Sequence, residues 1–213
     1  MEIKKIREDL IELGGTVGEG YLGGGEWTGK EYAKRGYYMS YGEINKIVKK
    51  ELLKKYKNDN VNFKTRGKSF SGGQSSSCYI EMFQEDLFID RNTAIDNLMR
   101  EFYVRTWHNY KNENGDVVSI WGEKIYDDLE IKRKCCEYRY DYYSNRYCNS
   151  VHNVPDCILT EKAKEIFSFA KSLYLTFIHD ESNSMVDYFN RNLYDSYYFN
   201  NLSLKNLKEP WEV

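Results

Sequence analysis

The stretch YMSYGEINKIVKKELLKKYKNDNVNFKTRGKSFSGGQSSSCYIEM, Tyr38–Met82, decides the fold. Ser40 and Glu43 form the S-x-x-E pattern of a capping box, in which each side chain satisfies the other residue's backbone N–H. Met39 and Ile44 stand where a hydrophobic staple closes over that first turn. Ile44, Ile47, Val48, Leu52 and Tyr56 then recur at helical spacing, which predicts a helix from Ser40 to about residue 57. Val61, Phe63 and Thr65 alternate with polar residues, and so do Cys78, Ile80 and Met82. That period of two marks half-buried strands. Ser71-Gly72-Gly73-Gln74 lies between them, so an antiparallel hairpin is expected, with Gly72 and Gly73 as turn residues at positive φ.

Working outward, Ile3, Ile6, Leu10 and Leu13 predict a short amphipathic helix over residues 2–13. Residues 14–29, GGTVGEGYLGGGEWTG, read as a loop, because so much glycine costs backbone entropy in a helix or strand. A third helix is expected from near Asp90, with Ala94, Ile95, Leu98, Met99 and Phe102 on one face. Asn112 to Gly115 reads as a turn, Val117 to Trp121 as a short strand, and Gly122 to Tyr147 as a long helix. Residues 148–159 carry Pro155 and read as a loop. Thr160 then caps a last long helix through Phe177, the cleanest amphipathic pattern in the chain. The tail beyond Ser182 mixes a short helix with extended pieces. The expected architecture is α+β: one compact domain over 1–213, a small antiparallel sheet packed with helices, and a helical insertion over about 90–158.

Length and charge set the bounds on function. A chain of 213 residues supports one domain with a real core. Its formal net charge of -2 restricts any nucleic-acid contact to a local patch. Its 20 tyrosines suit half-wet surfaces and interfaces, since tyrosine joins an apolar body to a polar tip. No apolar run approaches the roughly 20 residues that span a bilayer. Charges also interrupt every apolar stretch of the N-terminus, which reads as a helix rather than a signal peptide. The expectation is a protein of the bacterial cytoplasm without membrane contact, its cysteines present as free thiols.

Several patterns bear on chemistry. Gly18 to Gly23 fits G-x-G-x-x-G, and Gly24 to Lys30 fits G-x-x-x-x-G-K, but Glu31 stands where magnesium binding needs Ser or Thr. Neither follows a convincing strand, so neither predicts a nucleotide site. Cys135, Cys136, Cys148 and Cys157 lack the close C-x2-4-C pairs of a zinc site, although Cys148, His152 and Cys157 could cluster in one loop. No metal and no cofactor is expected. His108, His152 and His179 fit no catalytic pattern, and His179 is expected to sit at a helix C-terminus, where it favours the dipole. Glu123-Lys124 lacks the spacing of a nuclease core, and no base can be assigned to a serine or cysteine nucleophile, so no catalytic residue is expected. Lys132 to Arg146, KRKCCEYRYDYYSNR, interleaves cations with tyrosine. Such a face grips phosphates and bases, or a protein partner, or is merely solvated among its acidic neighbours.

A second segment, FIHDESNSMVDYFNRNLYDSYY over Phe177–Tyr198, combines with the first. Phe63-Lys64-Thr65-Arg66, Ser69-Phe70-Ser71-Gly72-Gly73, and Asp180, Ser182, Ser184, Met185, Asp187, Tyr188 and Phe189 carry the pattern. Together these residues resemble the large polyvalent protein-associated domain family of phages and plasmids, in which helix, strand, S-G-G turn and strand precede a D-x-S/D-x-M-x-D-Y-F motif. The chain departs from that pattern at SSSCYIEM after Gln74 and in its longer segment 84–158. The resemblance implies a mobile-element setting and no particular reaction. The expected function is therefore counter-defence: an anti-CRISPR-like inhibitor that binds a host defence protein or ribonucleoprotein complex, with RNA or DNA contact open. A metal-independent ribonuclease or other nucleic-acid-processing enzyme, and an accessory DNA-binding module of a mobile element, are the alternatives. The candidate binding residues are Arg66, Ser71, Gly72, Gly73, Lys132, Arg133, Arg139, Tyr142, Arg146, Asp180 and Asp187.

Overall fold

The capping box forms as the sequence implies. In a computed structural model of the chain, the Ser40 backbone N–H donates to Glu43 Oε2 at 3.0 Å, and the Glu43 N–H donates to Ser40 Oγ at 3.3 Å. The hydrogen bonds from Ser40 hold the Glu43 carboxyl below its ordinary pKa. The structure describes residues 11–19, 25–35, 39–71, 73–100, 104–111, 117–124, 129–146, 148–150, 154–180 and 191–204.

Nine strands and six α-helices are described within those residues. The strands are β1 (Thr16–Glu19), β2 (Gly25–Thr28), β3 (Val61–Phe70), β4 (Gly73–Met82), β5 (Val104–Lys111), β6 (Val117–Lys124), β7 (Cys148–Ser150), β8 (His179–Asp180) and β9 (Tyr194–Asn201). The helices are α1 (Lys30–Arg35), α2 (Tyr41–Lys55), α3 (Gln84–Leu87), α4 (Arg91–Arg100), α5 (Leu129–Ser144) and α6 (Glu161–Leu175). The expected α+β class holds.

The main sheet has the order β3-β4-β9-β7. Its β3–β4 hairpin is antiparallel and in register from Val61↔Met82 to Phe70↔Gly73, with Gly73 at φ 142°. That φ favours glycine, as the turn reading requires; Gly72 lies outside the described residues. The pairing of β4 with β9 is parallel, so this sheet is mixed rather than wholly antiparallel as expected. A parallel pair needs a long crossover, and here the chain between the two strands carries α3 to α6.

Strand alternation gives the sheet two unlike faces. Along β4, Gln74, Ser76, Cys78, Ile80 and Met82 are buried, while Ser75, Ser77 and Tyr79 are only half-buried. The inner face meets α2 through Ile44, Val48 and Leu52, and α6 through Ile166, Ala170 and Tyr174, all within one core. Full burial of the isoleucine, valine and leucine side chains among them stabilises by about 1.5–3 kcal/mol each. Phe167 and Tyr174 of α6 both meet Tyr197 of β9 edge-on, at 5.2 and 5.9 Å between ring centroids.

Buried polar groups tie these layers in register. Gln74 Nε2 donates to the Met39 carbonyl at 2.7 Å, and Gln74 Oε1 accepts the Tyr41 backbone N–H, so the hairpin fixes the start of α2. Asn45 Nδ2 donates to the Arg66 carbonyl at 3.2 Å, and Asn45 Oδ1 accepts the Tyr174 hydroxyl proton at 2.7 Å. Gly67 lets the Tyr41 ring lie against β3, where any Cβ would collide with it.

Four expectations need correction. The glycine-rich stretch 14–29 is not simply a loop: β1 and β2 pair antiparallel, and β2 pairs with β8. Tertiary pairing there overrides the entropic cost of glycine. Residues 122–124 extend β6 instead of starting a helix, and α5 begins at Leu129. The partner of β6, Val104–Lys111, was not anticipated; its alternation of Val104, Thr106, His108 and Tyr110 with Arg105, Trp107 and Asn109 is strand-like. The 148–159 loop contains β7 and a short 3-10 turn, Asp156–Ile158. The expected helix 2–13 falls largely outside the described residues. Thr160 does cap α6, accepting the Ala163 N–H at 3.1 Å.

Tyr174→Phe removes the proton that satisfies buried Asn45 Oδ1. An unpaired buried acceptor costs about 1–3 kcal/mol. Urea unfolding of the variant should show a lower midpoint at unchanged slope, the shift times the slope giving that loss of stability.

Candidate functional site

The stretch Lys132–Arg146 lies on α5 and its end. At about 100° per residue, the helix sorts its side chains onto three flanks. Cys136, Tyr140 and Tyr143 point inward and are buried. Lys132, Cys135, Tyr138, Arg139, Tyr142 and Arg146 fall on one outward stripe about 120° wide, with Tyr138 74% and Tyr142 40% exposed. Glu130, Glu137 and Asp141 fall on the other flank.

The acidic neighbours are occupied there. Asp141 takes a two-pronged contact from Arg91 on α4, Nε to Oδ1 at 3.3 Å and Nη2 to Oδ2 at 3.2 Å. Glu130 pairs with Lys134 at 2.7 Å, and Glu137 with Arg133 at 3.4 Å. Arg133 therefore belongs to the acidic flank, also reaching Asp96 at 4.0 Å, and not to the cationic stripe. On the stripe, Arg146 Nη1 donates to the Tyr142 hydroxyl at 2.9 Å, with the guanidinium carbon 3.8 Å from the ring centroid. Arg139 is exposed and makes no ion pair among the described residues.

Arg66 sits elsewhere, on the outer face of the sheet. Its guanidinium carbon lies 5.5 Å from the Tyr79 ring centroid. Tyr79 in turn stacks on Tyr198 of β9, centroids 5.0 Å apart and rings 18° from parallel. Tyr79 and Tyr198 are register partners in the parallel β4–β9 pair. Neither ring belongs to a sequence motif, but the alternation of Cys78, Ile80 and Met82 inward carries the signal that Tyr79 points outward. Ser71 is exposed in the hairpin turn, and Gly73 shapes the turn beside the Arg191 backbone.

Asp180 is an ion-pair partner. It lies 3.8 Å from Arg191 Nη1, and the same guanidinium reaches Asp195 at 2.7 Å. Asp187 lies outside the described residues. His179 does not end a helix, as had been expected, but pairs β8 with β2. Its ring stacks on Tyr32 at 4.9 Å and 6°, and its Nδ1 is 3.0 Å from Thr28 Oγ1. Thr28 Oγ1 donates to Glu26 at 3.0 Å, so the imidazole supplies the proton of the Thr–His contact from Nδ1–H. The Thr28 hydroxyl is thus directed away from the imidazole and is buried, the reverse of what an activated nucleophile needs.

The G-x-x-x-x-G-K match has no phosphate-binding geometry. Residues 25–28 form β2, and the N–H groups of Glu31 and Tyr32 donate to the Thr176 carbonyl at 2.8 and 3.1 Å. A groove of about 520 Å³ beside α6 brings Glu12, Asp156, Lys164 and Lys171 together with serines, with no histidine or cysteine among its described lining residues. Among the described residues no group of three His, Cys, Asp or Glu is placed to hold a metal ion. Among them, too, no helix is long and apolar enough to cross a membrane. No protein-family profile, curated protein or solved structure matches the chain.

The thiols differ in environment. Burial pushes Cys78 up to about 12 and raises Cys136, whereas Cys135 is exposed. Because the thiolate is the reactive form, iodoacetamide at pH 8 should label Cys135 well before Cys78 or Cys136. Peptide mass spectrometry checks the order, and denaturant should abolish it.

Proposed function

We propose that the protein is a counter-defence inhibitor of mobile-element origin, anti-CRISPR-like, that binds a host nucleic-acid-targeting complex in the bacterial cytoplasm. The observation that carries this reading is the sorting of charge on α5. Lys132, Arg139, Tyr142 and Arg146 share one outward stripe, while the carboxylates of the same helix are engaged on another flank. Exposed tyrosine and arginine are the residues that concentrate binding energy at protein interfaces. The resemblance of residues 38–82 and 177–198 to polyvalent protein-associated domains supports the mobile-element setting.

The ribonuclease alternative would need a general acid and a general base in reach of one phosphate. His179 is engaged in the β2–β8 pairing, His108 lies on β5, and His152 is outside the described residues. The DNA-binding alternative shares the cationic stripe but predicts no inhibition of a targeting complex.

The test is titration into a DNA-cleavage assay with purified CRISPR effector complexes. Inhibition should saturate at about one copy per complex. Joint replacement of Arg139, Tyr142 and Arg146 by Ala should weaken binding by roughly 2 kcal/mol or more, with an unchanged melting curve. Shortening of RNA at substoichiometric protein would replace this reading with the ribonuclease.

A further inference from the structure

We propose that the outer face of the β3-β4-β9-β7 sheet binds single-stranded RNA, stacking bases on its tyrosines and holding phosphates on its β3 edge. This goes beyond the α5 reading and involves a different surface.

The face is partly open where a sheet is ordinarily covered: Glu81 and Asn200, register partners at one end of it, are buried. β4 and β9 are the interior strands, yet Ser75, Ser77 and Tyr79 of one and Ser196 and Tyr198 of the other remain half-exposed. Among the described residues, α2 and α6 pack on this sheet, and both lie against the inner side. Parallel pairs such as β4–β9 are ordinarily covered on both faces, so a partly solvated polar face over one is unusual. This one carries large aromatic rings as well.

The rings form two platforms. Tyr79 and Tyr198 stack at 5.0 Å. Phe70 and Tyr194 lie together at 5.8 Å, 44% and 38% exposed. Tyr194 pairs in register with Ser75, four residues along β4 from Tyr79. At about 3.3 Å per residue the platforms stand roughly 13 Å apart. Flat rings in series on an exposed sheet are how unstacked bases are held, because every base offers a π-face.

The charge is complementary to phosphate. Lys64, Arg66 and Lys68 alternate along β3 on this same face. Lys64 pairs with Glu81 at 2.7 Å, but Arg66 and Lys68 have no carboxylate partner among the described residues. They form a positive rail beside the rings, suited to a sugar–phosphate backbone. The middle of the face carries the hydroxyls of Ser75, Ser77 and Ser196, with Ser77 Oγ and Ser196 Oγ 2.8 Å apart. A protein partner would call for an apolar centre. Hydroxyls between aromatic platforms fit a ribose, whose 2′-OH both donates and accepts.

The experiment is fluorescence anisotropy with purified protein and a labelled single-stranded RNA of about 12 nucleotides, over a series of salt concentrations. It needs no effector complex, so it fails or succeeds independently of the inhibition assay. Saturable binding that weakens with salt is expected. Tyr79→Ala and Tyr198→Ala should each raise Kd about fivefold or more, while Tyr79→Phe keeps the parent affinity. Lys68→Ala should reduce the salt slope by about 0.7. Should Tyr79→Ala fail to fold, Lys68→Glu, on an exposed edge, carries the test: RNA affinity and salt slope must both fall. The proposal is overturned by absence of binding at low salt, by equal affinity for duplex RNA or for DNA of the same sequence, or by a folded Tyr79→Ala that binds like the parent. Loss of binding on changing Arg139, Tyr142 and Arg146 but not the sheet residues would place the RNA on α5 and also overturn it.

Discussion

The structure depends on one buried side chain, Asn45. It faces the core from α2 and spends its two polar ends in opposite directions, one on the Arg66 carbonyl of β3 and one on the Tyr174 hydroxyl of α6. A buried amide with both ends satisfied sets position more tightly than an apolar contact, since a shifted geometry leaves a polar group unpaired in low dielectric. Two helices and an edge strand are thereby held in one register. Tyr174 passes the constraint on to Tyr197 by its ring. The same link reaches the outer face: the residue whose carbonyl Asn45 holds is the one whose guanidinium stands over Tyr79. Inner packing and outer display are two sides of one strand.

On α5 the separation of charge is a product of helical periodicity. In sequence, KRKCCEYRYDYYSNR mixes signs, and its carboxylates argue against a cationic surface. Wound at 3.6 residues per turn, the carboxylates fall on another flank and find Arg91, Arg133 and Lys134. Exposed pairs of this kind contribute little to stability. Their consequence is local: they keep negative potential away from Arg139 and Arg146.

What was legible in the sequence follows from how local each cause is. The capping box, the Thr160 cap and the hairpin turn are set by residues within a few positions of one another, and they appear as read. The strands in 14–29 escaped because β2 gains its second partner from His179 and Asp180, far along the chain. The same holds for the outer sheet face. Tyr79 and Tyr198 become neighbours only through the parallel β4–β9 pairing, which no short pattern encodes. Arg66 was singled out from a family resemblance, while the rings it stands over went unremarked. Arg133 was grouped with the cations of the stripe because sequence proximity does not distinguish one helix flank from the next.

The parallel strand β9 has a further consequence for how the chain reaches this fold. β4 is interior only once β9 is in place, and β9 follows β4 only after the long crossover that carries α3 to α6. During synthesis the β3–β4 hairpin emerges before β9 and must wait, with one long edge of β4 unpaired, until the chain through β9 has been made. Such an edge is a template for foreign strands. Its exposed side carries Ser75, Ser77 and Tyr79, and its pairing groups alternate with serine over Ser75-Ser76-Ser77. A serine run with little hydrophobic character is a poor seed for strand-to-strand aggregation. The first half of β4, though not its apolar second half Cys78–Met82, therefore suits a strand that spends its nascent life as an edge and its native life in the middle of a sheet.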